Sequence, residues 1–109
     1  MKAKAKWVPD RGDVLMQGQA PIVVISGKRF NERVGTLVCW PVSSDKAQDG
    51  NPFAVPIGNK RTGVGYVMCH LPRSIDWRAG AVARHPWRRL GEAALAAAMF
   101  KLNEVMTAD

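Results

Sequence analysis

The residues from Pro72 to Arg89 read PRSIDWRAGAVARHPWRR. Arg73, Arg78, Arg84, Arg88 and Arg89 share this span with Trp77, Trp87, His85 and a single acid, Asp76. The chemistry such residues perform is recognition of a polyanion. A planar guanidinium fork pairs with phosphate oxygens better than an ammonium group does. Aromatic rings set between cations are platforms on which nucleobases stack. With Lys60 and Arg61 included, residues 60–89 carry six of the seven net positive charges of the chain. A block of this sign attracts nucleic acid over long range. The bland alternative is a solvated face, where most charge runs end. The arginine content and the interleaved tryptophans favour nucleic acid.

The chain has 109 residues, 47% of them hydrophobic. That suffices for one domain, 1–109, with one modest core. Residues 2–6, KAKAK, read as the basic end of a loose tail spanning 1–6. WVPDRGD follows them, not the apolar stretch of a signal peptide. The longest apolar run, AALAAAMF at 93–100, is too short to cross a bilayer. A cytoplasmic protein without membrane contact is expected. Cys39 and Cys69 both lie in apolar runs and read as buried thiols in a reducing compartment, not a disulfide. No C-x-x-C or His/Cys cluster suggests a metal, and no cofactor is expected.

The elements that must position the basic segment are short. Asp13 to Met16 is a strand candidate. PIVVIS (21–26), continuous and β-branched, predicts a strand buried on both faces. GKRFNERVG (27–35) reads as a loop or one helical turn. TLVCWPV (36–42) predicts a strand, with Pro41 pointing to an edge or a bulge. SSDKAQDGN (43–51) and GNKRTGVG (58–65) read as loops. PFAVPI (52–57) and GYVMCHL (65–71) predict two more strands, ended by Pro56 and Pro72. Short strands joined by Gly/Pro turns point to a small barrel or sandwich. From Leu90 to Met106 the composition is helical. Leu95, Met99, Leu102 and Met106 form one stripe for packing on the barrel, with Ala98 and Val105 beside it. Phe100 lies off the stripe, open to a subunit contact, although single exposed aromatics are common.

The order WVPDRGDV, PIVVIS, CWPVSS, PFAVPI, CHLPRSIDWRA and a C-terminal helix resembles the MazF/PemK/Kid family of bacterial toxins over roughly Trp7 to Met106. The resemblance implies a mainly β, SH3-like small barrel of the CcdB/MazF kind with a C-terminal α-helix. It implies a homodimer and a metal-independent, sequence-specific endoribonuclease cleaving single-stranded mRNA. It also implies a partner antitoxin whose acidic, disordered tail occupies the RNA groove. A serine or threonine pair follows the third strand in this family. Here that pair is Ser43 and Ser44, whose hydroxyls would hold the scissile phosphate. The P-R-S-I-D element matches at Pro72, Arg73, Ser74, Ile75 and Asp76. Arg73 would face RNA phosphates and Arg78 would support it. Asp76 reads as a local partner for a neighbouring arginine.

Two departures stand against these matches. The family's long first loop ends in a catalytic arginine before a proline, whereas here only MQGQA precedes Pro21 and Ala20 holds that position. The arginine and aspartate of the fifth strand are replaced by Met68 and His70. Cleavage through the ribose 2′-hydroxyl needs proton transfer and a cation for the developing charge. Histidine suits the first task because it titrates near neutrality. The expected catalytic set is therefore Ser43, His70 and Arg73 in one cleft. Arg11, Ser44, Ser74, Trp77, Arg78 and Arg84 would bind RNA. His85 reads as a surface residue and Trp40 as core. Two alternatives stay open: an inactive relative that binds nucleic acid or an antitoxin, and a gyrase poison of the same fold.

Overall fold

The computed structural model describes residues 7–59, 63–80 and 82–107. The basic tail at 1–6, Lys60 and Arg61 lie outside them. Seven strands form one antiparallel curled sheet: β1 (Asp13–Gln17), β2 (Ala20–Val24), β3 (Leu37–Ser43), β4 (Ala54–Asn59), β5 (Gly63–Met68), β6 (Arg73–Ile75) and β7 (Val82–Arg89). The strand order is β4-β5-β3-β2-β1-β7, with β6 also paired to β3. Among the described residues two α-helices complete the fold, α1 (Lys28–Val34) and α2 (Glu92–Thr107). The mainly β half-barrel with a C-terminal helix is the expected architecture.

The sheet is buried on both faces, and β2 shows why its sequence lacks alternation. Ile22, Val23 and Val24 are all fully buried. Val23 packs with Val14, Trp40, Val55 and Val67 beneath α2, which supplies Leu95, Ala98, Met99 and Leu102. Ile22 and Val24 face the other way, onto Leu15, Leu37, Cys39 and Trp77, with Trp7 and Val8 as a lid. Each such side chain contributes about 1.5–3 kcal/mol of burial. The two cysteines are free and buried, on opposite sides of the sheet. Burial pushes the Cys69 thiol up to about 11. Met106, expected in the helix stripe, is exposed, as is Phe100.

Three elements differ from the sequence expectation. Residues 28–34 form a helix of seven residues, stopped by Gly35 at φ 85°. That sign of φ suits glycine at a helix end. Strand β3 is central, not an edge. Its Leu37–Cys39 half pairs with β6 and its Val42–Ser43 end pairs with β5. Pro41 falls between them, where that ladder is already interrupted. The basic stretch before Arg89, whose charge and Pro86 read as a loop, is strand β7, paired to β1.

A buried amide ties the helix to the sheet. Asn31 is fully buried. Its Nδ2 donates to the Pro9 carbonyl at 2.8 Å and the Ser26 carbonyl at 3.1 Å, and its Oδ1 accepts from Ser26 Oγ at 2.6 Å. Trp77 Nε1 donates to the Asn31 carbonyl at 2.9 Å. Through its side chain and its backbone carbonyl, Asn31 thus fastens the chain before β1, the start of α1 and the turn after β6.

Candidate active site

Two backbone features build a cavity at one end of the sheet. The first is the β1–β2 hairpin, whose tip is Gly18-Gln19 between the paired residues Gln17 and Ala20. Gly18 has φ 63°, which a tight primed turn requires at its first position. The second is a large bulge in β7. Asp13 pairs with Arg89 and Leu15 with Arg84, so Val14 alone faces the four residues 85–88. Arg88 takes φ 64° within this bulge. The bulge swings His85 and Trp87 off the β1 edge toward β3 and β5. There they close a cavity of about 240 Å³ with Val42, Ser43, Ser44 and Gly65.

Two hydroxyls and an imidazole therefore share one enclosure. Ser43 Oγ accepts a hydrogen bond from the Asp45 N–H at 3.1 Å, which leaves its own O–H to donate outward. Asp45 in turn accepts from the Ala47 N–H at 2.9 Å and opens a 3-10 turn over Lys46–Gly50. The Tyr66 hydroxyl donates to Asp49 Oδ1 at 2.9 Å and pins that turn to β5. His85 Nδ1 accepts the Trp87 backbone N–H at 3.0 Å. The two rings meet edge to face at 4.8 Å between centroids. Burial lowers the His85 pKa from its ordinary value, in the direction of the neutral imidazole. No sequence signal pointed to His85 beyond a proline following it in a run that otherwise reads as polar.

Arg73 and Ser43 lie on one face of the sheet. Arg73 pairs opposite Cys39, and its Nη2 donates to Gln17 Oε1 at 2.8 Å. Gln17 pairs with Ala20, and the β2–β3 register continues Ala20 onto Ser43. The guanidinium is thus about two strand spacings, roughly 10 Å, from Ser43. Ser44, Ser74 and Arg84 are exposed. Arg84 stacks on the Trp7 ring at 4.8 Å.

Other expected site residues are engaged elsewhere. His70 is not in this cavity. Ser43 pairs with Tyr66, and His70 lies four residues further on, on the order of 13 Å along the strand direction. Its ring sits 5.9 Å from Phe53, and its Nδ1 is buried without a hydrogen-bond partner. Trp77 is 8% exposed, packed in the core, so its ring has little open face for a base. Arg78 stacks on it at 5.2 Å and donates to the Glu32 carbonyl, closing the end of α1. Arg11 Nε donates to the Ile25 carbonyl at 2.6 Å. Asp76 Oδ1 accepts the Arg78 and Ala79 N–H groups and shapes a local turn. A larger cleft of about 510 Å³ runs between β4, β7 and the start of α2. Among its described lining residues the one that is charged, Arg89, is paired to Asp13 at 2.9 Å. Among the described residues no group of three or more His, Cys, Asp or Glu side chains could hold a metal ion. Nor is any helix long and apolar enough to cross a membrane.

A curled β half-barrel under a C-terminal helix is a fold shared with solved structures of MazF proteins. A MazE–MazF complex from Deinococcus radiodurans (Form-III) matches with a TM-score of 0.82 and 26% identity, over 94% of this chain and 100% of that one. MazF alone from the same organism (Form-I) matches with a TM-score of 0.81 and 25% identity, over 93% and 98%. The endoribonuclease toxin MazF of Escherichia coli K12 is 31% identical over 87 residues, 69% of this chain and 75% of the relative. The chain belongs to the family of PemK-like, MazF-like toxins of type II toxin–antitoxin systems, whose profile matches residues 4–106.

Proposed function

We propose that this protein is the toxin of such a pair, a metal-independent endoribonuclease that cleaves single-stranded mRNA at particular sequences in the cytoplasm. The observation that carries the reading is the cavity at the end of β3. Ser43 and Ser44 line it, and Arg73 lies on the order of 10 Å from Ser43 across the sheet. The 2′-oxygen would bond to phosphorus as the P–O5′ bond breaks. The 2′ proton passes to water and the 5′ oxygen takes one from water. Ser43 and Ser44 donate to the non-bridging oxygens as their charge grows, and Arg73 holds the neighbouring phosphate. Removing one such donor costs about 10²–10³-fold in rate.

His70, the residue first expected to move the proton, lies outside this cavity and has no step in the reading. The partners are single-stranded RNA, a second copy of the chain, and an antitoxin whose acidic tail would compete for the Arg73 face. A solved structure of MazE with MazF from Deinococcus radiodurans supports the antitoxin partner. One observation favours a second reading, a non-cleaving binder. Among the described lining residues of the cavity none is charged, and Ala20 stands where the family resemblance sets an arginine.

One experiment separates the two. The purified protein, free of antitoxin, is incubated with mixed-sequence RNA in excess EDTA beside Ser43→Ala, and the ends are mapped. Site-specific cuts with 5′-hydroxyl ends, slowed at least 10²-fold in the variant, are expected. Salt-sensitive RNA binding without cuts would establish the binder instead.

A further inference from the structure

The histidine of this cavity is His85, and its bonding specifies what it can do. The bulge in β7 carries it there, since β1 spends one residue against four of β7. Trp87 contributes to this twice. Its backbone N–H bonds His85 Nδ1 at 3.0 Å, and its ring packs edge to face against the imidazole at 4.8 Å. A ring nitrogen that accepts a backbone N–H carries no proton. In a neutral imidazole the proton then resides on Nε2. That tautomer leaves Nε2 unable to act as a base and Nδ1 closed to substrate. What remains is an N–H donor on a ring that lines the same cavity as Ser43 and Ser44.

We infer that His85 is a catalytic residue acting as a neutral hydrogen-bond donor, its Nε2–H directed at a non-bridging oxygen of the scissile phosphate held by Ser43 and Ser44. This rests on the reading of that cavity as the RNA-cleaving site. His85 keeps its proton throughout, so the step adds no acid or base to the reaction. It supplies electrostatic stabilisation of the kind a fixed dipole gives a developing oxyanion. A neutral donor avoids the cost of burying a cation against apolar walls, and those walls, Pro21, Val42 and Val64, are what this cavity has. Burial acts in the same direction, lowering the pKa.

Two variants and one spectroscopic readout test it. His85→Gln retains an uncharged N–H near the Nε2 position, whereas His85→Ala retains nothing. Metal-free RNA cleavage should fall about 10²–10³-fold in His85→Ala and stay within about tenfold of wild type in His85→Gln, with melting temperatures confirming that both fold. Equal loss in both variants would overturn the donor role in favour of proton transfer. Wild-type rates in His85→Ala would remove His85 from the site. The readout without catalysis uses the ¹⁵N-labelled wild-type protein. Its His85 imidazole should show the Nε2–H tautomer, and Nε2 should shift on adding mixed-sequence 2′-O-methyl RNA. An Nδ1–H tautomer, or an Nε2 signal that ignores the RNA, overturns the inference even for a protein that cuts nothing. Absence of wild-type cleavage with an Nε2 shift would instead defeat the nuclease reading and leave His85 as a phosphate contact alone.

Discussion

Gly65 is where the fold and the cavity share one atom's worth of space. It lies in β5 opposite β4, and its backbone has no positive φ, so conformation does not demand glycine. Space does. A Cβ at this position would stand 2.8 Å from Val42 Cγ1 and 3.6 Å from the Trp87 ring. Val42 Cγ1 must therefore move in Gly65→Ala, and it belongs to a packed core. Overpacking of this kind costs about 1–3 kcal/mol. Replacing a strand glycine by alanine returns about 0.5–1 kcal/mol. The net expectation is a loss of about 0.5–2 kcal/mol, several degrees in Tm for a domain of this size. Val42→Ala opens a void and destabilises by itself. In the double variant the new methyl occupies the space the valine methyl left. The two changes should then couple favourably by about 0.5–3 kcal/mol. The assay is thermal or urea unfolding of the four proteins, with RNA cleavage measured alongside. Cleavage should fall in Gly65→Ala by more than its stability predicts, because Val42 and Trp87 both line the cavity. Strict additivity of the two substitutions, or a Gly65→Ala protein more stable than wild type, would refute the packing argument.

Two further outcomes follow from the same geometry. Asn31→Ala leaves the Pro9 and Ser26 carbonyls and the Ser26 hydroxyl without their buried partner. At the lower end of the range of about 1–3 kcal/mol for each unsatisfied group the loss should be about 3–5 kcal/mol, and urea unfolding should find the variant near or past the edge of stability; a change under about 1 kcal/mol would contradict the hub. Arg73→Ala should weaken RNA binding and flatten the slope of log K against log salt by about 0.7, one single-strand phosphate contact, whereas Arg89→Ala, whose guanidinium is held by Asp13 and the Arg11 carbonyl, should leave the slope unchanged; titrations from low to high salt decide between them.

The legible parts of this chain are those in which side-chain chemistry and backbone period agree. PIVVIS has no alternation because both of its faces are buried, and an apolar β-branched run says so directly. The stripe on α2 is visible for the same reason, as far as Leu102. Strand β7 was not legible. Its sequence is VARHPWRR, charged, interrupted by proline and without alternation, which reads as a loop. It is a strand because an edge position beside β1 tolerates exposed arginines, and because four of its residues leave the ladder in a bulge. Proline in such a run is the mark of a bulge as much as of a loop. His70 was placed in the site by its position in the fifth strand. The register of β5 against β3 carries it to the far end of the sheet, and register is a long-range property that no local spacing encodes.

The positive charge of the segment illustrates the same limit from the electrostatic side. A count of arginines treats every guanidinium as free. Arg11, Arg78 and Arg89 each donate to a backbone carbonyl, where they close a turn, end α1 and clamp the start of β1. Their charge still adds to the field that draws a polyanion toward the protein. Their hydrogen-bond directions are committed, however, and a phosphate that engaged them would have to displace a bond the fold uses. Arg73 differs because its partner is Gln17 Oε1, an exposed side-chain acceptor that can swing away at little cost. Direct contact with RNA should therefore fall to Arg73, with the other arginines contributing at a distance. Attraction and recognition are in this way divided among residues of one type, and only their hydrogen-bond partners tell them apart.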